Sequence, residues 1–475
     1  MFNNRPRHSK PSVPYAFFIV FVLLFIILGA NRILQAPLNP MFLIAWLFLY
    51  PACMYLGYTY QEINESVLEQ CKKGMTGVMI IISVGALIST WIAAGCVPSI
   101  IYYGLNLVNP KFFLLATFLL CLIVSTACGT SWGAAATAGV AMFAIGESLD
   151  VPAAMTVGAI CSGSFFGDMI SPMSDSANIA ALSVGTDLIN QCKKEVYIAV
   201  PAMIVTGIIY FIMGLSYSGG NFDPSVVTAT RESIARLFHT GFISFIPMIL
   251  LFILLFKKVP ALFAMLISAL SGGVIAVCYQ GLPATSMFNV MWKGYSISSG
   301  EVFIDTLFNR GGMVSMASTV MLLLFSYGVI GTLNKVGILD TLVSPLVDKA
   351  RNAVTLTLIS QFISIIGVML GTGGVSLLLT GSIMSPAYKK FKLHPVNLSK
   401  AINATATPWN AMIPWNISGI YIAGLFNVGA FEYGKYFIFA FVMPLMVLLF
   451  VILKIQVTPA EEEAVISPKG LSEAI

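Results

Sequence analysis

Twelve long apolar runs, six in each half of the chain, leave this sequence few ways to fold. A helix that crosses the hydrocarbon core of a bilayer needs about 20 mostly apolar residues. On that measure the first half holds segments near 14–31, 39–60, 75–104, 112–147, 152–190 and 195–215. The second holds 239–256, 259–280, 312–334, 353–388, 396–425 and 434–455. Charged residues make up 9% of the 475 and apolar ones 58%, too little charge to cover a water-soluble fold of this size. Much of the surface must therefore face the lipid bilayer. The expected fold is an all-α polytopic membrane protein, and its net charge of +5 is too modest to suggest nucleic acid.

The two halves follow one pattern. Each begins with two simple helices and a long segment, then has a double segment split by glycine, a long proline-broken segment and a closing helix. The double segments 112–147 and 353–388 are split by 128–133 and 371–374, and each is a re-entrant hairpin or two short crossings. Either way the chain leaves on the side it entered. Five single crossings plus one hairpin displace it across the membrane once, so the second repeat is expected inverted relative to the first. With the N-terminus cytoplasmic, 18 of the 25 Lys and Arg fall in segments expected on that side, as the positive-inside rule requires. This divides the chain into a cytoplasmic segment 1–13, a first repeat 14–215 and an external linker 216–238. A second repeat 239–455 and a cytoplasmic tail 456–475 complete it. The expected setting is the cell inner (plasma) membrane, with both termini cytoplasmic. The run 15–29 follows Arg5, Arg7 and Lys10 but lacks a small-residue cleavage site, so it reads as a retained first helix.

In lipid each backbone N–H and C=O needs an internal partner, so breaks at membrane depth are tolerated only in protein or beside a cavity. Four occur here: the two hairpin tips, 162–178 and 403–418. Equivalent breaks in two halves are the pattern of a transporter site near the midplane. In the third break Asp168 and Asp175 stand seven residues apart, which on a continuous helix puts them on one face about two turns apart. Pro172 removes a donor between them and frees carbonyls. A carboxylate at helix centre costs about 2.5–3.5 kcal/mol on insertion scales. Two of them, with Ser171 and Ser174 beside them, make an oxygen site suited to Na+. The alternative is that they cap half-helices. His8, His239 and His394 all lie near segment ends, so the proton carrier is expected to be Asp168 or Asp175. A carboxyl kept from water favours its neutral form and a bound cation its ionised one, so proton and cation compete.

The second half offers no intramembrane acid in this reading. Its break supplies Asn403, Thr407, Asn410 and Asn416, with Thr130, Ser131 and Thr372 at the hairpin tips; for these hydroxyls ion contact and interhelical packing both stand open. Trp132 and Trp409 are expected, with Asn178, Asn403 and Asn416, to wall a substrate cavity. The eight scattered cysteines read as small buried hydrophobes. Without intramembrane histidine or a nucleophile–base pair no enzyme is expected, and without GxxxxGK[ST] no ATP-driven pump. No cofactor is expected beyond Na+ and H+ as transported or coupling ions.

Three motifs in order, Gly129-Thr130-Ser131-Trp132-Gly133, Phe166-Gly167-Asp168 through Ser171-Pro172 to Ser174-Asp175, and Ile413-Pro414-Trp415-Asn416, resemble the NhaC-type sodium/proton antiporter family of the ion transporter superfamily. The resemblance covers most of the chain. It implies a homodimer with scaffold and moving domains, a cation held by paired hairpins and broken helices, and elevator-like alternating access. It implies Na+/H+ antiport or, as the rival, Na+-coupled carriage of an amino acid or small carboxylate. The chain departs from the family pattern at Ala134, Ala136, Ser176-Ala177 and Asn403-Ala404, where the last pair replaces two acids. That loss leaves room for an organic solute.

Overall fold

The computed structural model describes residues 9–460 apart from 30–36, 108–109, 173, 218–223, 258, 339–340, 343–344 and 346–348. Residues 1–8 and 461–475 of the expected terminal segments, and 218–223 of the expected linker, lie outside the described residues. Helices account for nearly all regular structure, and the one isolated bridge among the described residues pairs Leu393 with Pro459. The chain is an all-α polytopic membrane protein. Among the described residues seven helices are long and apolar enough to span a bilayer, or nine if each of two bent pairs is one span.

In chain order the helices are α1 (Val13–Leu24), α2 (Leu38–Tyr55), α3 (Tyr60–Ala93), α4 (Cys96–Leu107) and α5 (Phe113–Cys128). Then come α6 (Ser131–Ala134), which runs through a π turn at Ala135–Gly139 into α7 (Val140–Ser148), α8 (Ala153–Ile170), α9 (Asp175–Val184), α10 (Leu188–Tyr217) and α11 (Pro224–Leu237). Next are α12 (Ile246–Phe256), α13 (Ala261–Cys278), α14 (Ala284–Lys293), α15 (Val302–Phe308) and α16 (Ala317–Val336). The last are α17 (Ala353–Leu370), α18 (Gly373–Lys390), α19 (Pro395–Met412), α20 (Ile417–Phe426), α21 (Ala430–Tyr433) and α22 (Ile438–Ile452).

Several segment boundaries differ from expectation. The stretch 75–104 is two helices, because the chain breaks after α3 at Gly95, whose φ of +75° suits glycine. The Gln280 side chain donates to the Ala94 carbonyl there at 3.1 Å. Helix α3 itself starts at Tyr60 through a reciprocal cap between Thr59 and Glu62, and only its Gly74–Ala93 portion has the composition of a span. The polar linker contains α11, whose last turns lie at 91° to the following helix. Gln280 holds that corner too, accepting from His239 N at 2.9 Å and donating to its carbonyl at 2.9 Å.

Helix packing sorts the molecule into two bundles with matched halves. In the first, α3 packs on α13 as α16 packs on α2, and α3 and α16 pack on each other. In the second, α5–α8 and α8–α10 contacts match α17–α19 and α19–α22. There α8 meets α19 and α10 meets α22, the equivalent elements of the two halves. Gly163 and Gly167 let α5 and α8 approach closely: a methyl at Gly167 would collide with backbone atoms of Ser125 and Thr126. Ser125 also donates its hydroxyl to the Ser164 carbonyl.

Candidate ion and solute site at the helix breaks

Between the bundles lies a cavity of about 790 Å³. The first bundle contributes Gly74, Thr76, Gly77 and Ile80 from α3, and Leu255 and 259–262 around the α12–α13 turn. The second contributes the broken elements: 129–132, Asp168, Pro172, Asp175, Ser176, Asn178, Thr407, Asn410, Ile417 and Ser418. Among the described residues, two carboxylates line this cavity and no Lys, Arg or His does. Its field therefore favours a cation.

The backbone explains how the acids arrive there. Helix α8 stops at Ile170 and α9 starts at Asp175, so Asp168 and Asp175 do not share one face of a continuous helix; the break at Pro172 turns the chain between them. Asp168 lies in the last turn of α8 and is 9% exposed, whereas Asp175 opens α9 and is exposed. An acid in the first turn of a helix meets the positive end of its dipole. Asp168 accepts from Ser131 Oγ at 2.7 Å through Oδ2 and from Ser174 Oγ at 2.5 Å through Oδ1. Ser174 also caps α9, taking the Ser176 N–H at 3.1 Å. The hairpin tip and both sides of the break thus meet at one carboxylate. Asn178 donates to the Pro172 and Ser174 carbonyls at 3.2 and 2.8 Å and so ties up carbonyls at the break.

The opposite wall is a small amide–hydroxyl cluster. Asn410 Nδ2 donates to Ser418 Oγ at 2.7 Å, and Trp132 Nε1 donates to the same oxygen at 3.1 Å. Trp132 stacks on Tyr421 with centroids 4.4 Å apart, and the Tyr421 hydroxyl donates to the Trp132 carbonyl at 2.9 Å. Asn410 Oδ1 is buried without a hydrogen-bond partner among the described residues, an oxygen left over for a ligand. The atoms here that can ligate a cation are hard oxygens, and among the described residues no three His, Cys, Asp or Glu converge as a transition metal would require. The set fits Na+ and stays oxygen-only throughout.

Not every expected residue reaches the cavity. Thr372 caps α18, accepting the Val375 N–H at 3.3 Å. Asn416 Nδ2 clasps the end of α17 through the Val368 and Gly371 carbonyls at 2.9 and 3.1 Å. Trp409 Nε1 donates to the Ala440 carbonyl and Trp415 Nε1 to that of Met369, so of the tryptophans at the breaks Trp132 alone lines the cavity. Ser171 is buried at the break and Asn403 lies wholly inside the second bundle; neither lines the cavity. Thr76, Ser176 and Ser418 line it without having been named as site residues; Ser418 was legible as the hydroxyl two residues past Asn416. Glu195 was missed altogether. It stands beside Lys193 and Lys194 in sequence, but α10 starts at Leu188 and buries it completely.

Two helical bundles, broken helices facing each other at their junction and an acidic cavity between them define a membrane transporter. The sequence model of the Na+/H+ antiporter family matches residues 6–177 and 163–455, and the chain belongs to that family. It is 36% identical over 434 residues to the malate-2H+/Na+-lactate antiporter of Bacillus subtilis, covering 90% of this chain and 93% of that one. It is 29% identical to the Na+/H+ antiporter NhaC of Alkalihalophilus pseudofirmus, over 97% of this chain and 100% of the relative. The arginine/ornithine antiporter ArcD of Halobacterium salinarum is 25% identical, with 94% and 92% covered.

Proposed function

We propose that the chain is a sodium-coupled secondary transporter, not an enzyme, that exchanges Na+ for H+ at the cavity built on Asp168 and Asp175. The observation that carries this reading is a cavity at the junction of two bundles lined, among the described residues, by two carboxylates and no basic side chain. A cation entering from water meets Asp175 first, because that carboxylate is exposed, and then Asp168, which is buried and preset by two serine hydroxyls. Oxygens of Thr130, Ser131, Thr407 and Asn410 complete its shell in place of water. Protonating either carboxyl removes the charge that holds Na+, so binding of one opposes the other.

The division into bundles supports an elevator-like motion, with the hairpins and broken helices moving against α3 and the α12–α13 turn. Two inverted repeats, 14–215 and 239–455, joined by an external linker, complete this reading, with N- and C-termini cytoplasmic, the inner membrane as location and a homodimer as assembly. The cavity reaches the turn after Lys257, a basic residue on the expected cytoplasmic side, which supports reading the conformation as inward-open. No cofactor enters the cycle.

The test is a proteoliposome with an imposed inward Na+ gradient. Saturable alkalinisation of the lumen is expected, and Asp175→Asn abolishes it. A sodium-independent, non-saturable conductance would instead make the protein a channel. A second reading, in which a small organic solute is also carried, is favoured by the cavity's size: about 790 Å³ far exceeds a bare ion, and the 36%-identical relative is named for malate and lactate. Adding malate, lactate or arginine and measuring Na+-stimulated uptake decides it.

A further inference from the structure

A second polar cluster lies inside the second bundle, between α10 and α19. Glu195 is 0% exposed and receives Asn403 Nδ2 at 2.9 Å and Gln191 Nε2 at 3.3 Å, both on Oε2. Its other oxygen, Oε1, is buried and takes no hydrogen bond among the described residues. A carboxylate buried with one oxygen unsatisfied is costly, and a proton on that oxygen removes the charge. The cluster also touches the transport cavity. Thr407 Oγ1 donates to Asn403 Oδ1 at 2.6 Å, and Thr407 lines the cavity. Asn403 meets the broken helix as well, donating to the Met169 carbonyl at 3.1 Å, one residue beyond Asp168.

We infer that Glu195 is a second proton-binding site, outside the cavity, whose ionisation is linked to cation occupancy through Asn403 and Thr407. The inference rests on the antiport reading above. Its direction follows from the chain of donors. When Glu195 is ionised, the Asn403 amide is polarised toward it and its Oδ1 draws the Thr407 hydroxyl proton. The lone pairs of Thr407 Oγ1 are then left for the cavity, where they suit a cation. When Glu195 takes up a proton, both that polarisation and a negative charge near the cavity are lost, and the cation is held less well. No proton needs to pass through the amide; Glu195–COO⁻ plus H⁺ gives Glu195–COOH, and the coupling is electrostatic.

The titratable groups facing Glu195 are few. Lys400 on α19 attracts it, although its Nζ donates to the Gln456 carbonyl at 2.7 Å, and Cys192 shares its helix. Asp168 on α8 and Asp175 on α9 belong to the cavity; α5 carries only Cys121 and Cys128, and α22 has no titratable residue.

The experiment combines infrared difference spectroscopy with proton release on purified protein, using NaCl as the probe. A protonated-carboxyl band should shift when Na+ is added to the wild type and be missing from Glu195→Gln. Protons released per Na+ bound should fall in that variant, and the slope of log Kd for Na+ against pH should lose up to about one unit. An identical band and proton count in Glu195→Gln overturns the inference. Should Glu195→Gln not fold, Asn403→Leu serves, since Asn403 connects Glu195 to Thr407 without lining the cavity: at saturating Na+ the band must persist but cease to respond to Na+, and an unchanged response overturns the link. Failure of the antiport reading looks different, with no Na+-driven pH change in wild-type liposomes whatever the band does.

Discussion

At the scale of single residues, the site depends on keeping one buried carboxylate ready. Ser131 and Ser174 each donate to a different oxygen of Asp168, so removing either leaves one oxygen without that donor. Hydrogen bonds to charged groups contribute about 1.5–3 kcal/mol, so Ser131→Ala and Ser174→Ala should each weaken Na+ affinity by about 10- to 100-fold, as measured by calorimetric titration. Asp168→Asn should abolish Na+-driven flux while the protein still folds, because the amide keeps the size and one acceptor but not the charge. Competition between proton and cation also has a sign. Lowering pH should raise the apparent KM for Na+ in the liposome assay, and a KM indifferent to pH would remove the carboxylates from the coupling.

At the scale of elements, function rests on close helix approach and on capped helix ends. Gly167 places the turn bearing Asp168 directly against α5, and Gly167→Val forces backbone against side chain. A misfit of this kind costs about 1–3 kcal/mol, so the expected result is a lowered Tm in detergent together with lost flux. Asn416 satisfies two carbonyls at the end of α17, where no following turn can. Asn416→Leu should destabilise the 371–374 hairpin tip by about 1–3 kcal/mol, seen as faster hydrogen exchange in that segment. The elements themselves were readable from the sequence, since apolar length and glycine or proline breaks report a spanning helix wherever lipid is the solvent. Their ends were less so. The break at Gly95 and the corner after α11 are both held by Gln280, a partner remote in sequence that no local pattern announces.

At the scale of the whole molecule, the cavity exists only because two bundles face each other across it. Gly77 on α3 lies against Ile417 on α20, one from each bundle. Cysteines at these two positions, joined by a short cross-linker, should stop transport, and reducing a cleavable linker should restore it. Flux that continues unchanged with the cross-link in place would sink the elevator-like motion. Helices α2, α10 and α13 carry many exposed apolar side chains, the expected dress of surfaces solvated by lipid.

From the sequence alone came the membrane class, the breaks and the two acids, because hydrocarbon punishes charge and unpaired backbone so heavily that each exception stands out. Tertiary packing alone decided that Asp168 is enclosed while Asp175 is exposed, that Asn416 and Thr372 hold the scaffold of the hairpin, and that Glu195 is buried. Glu195 follows two lysines and looks like an interfacial charge until α10 is seen to begin a full two turns earlier. Which side chains converge depends on the contact of helices far apart in the chain, and periodicity within one helix cannot encode that contact.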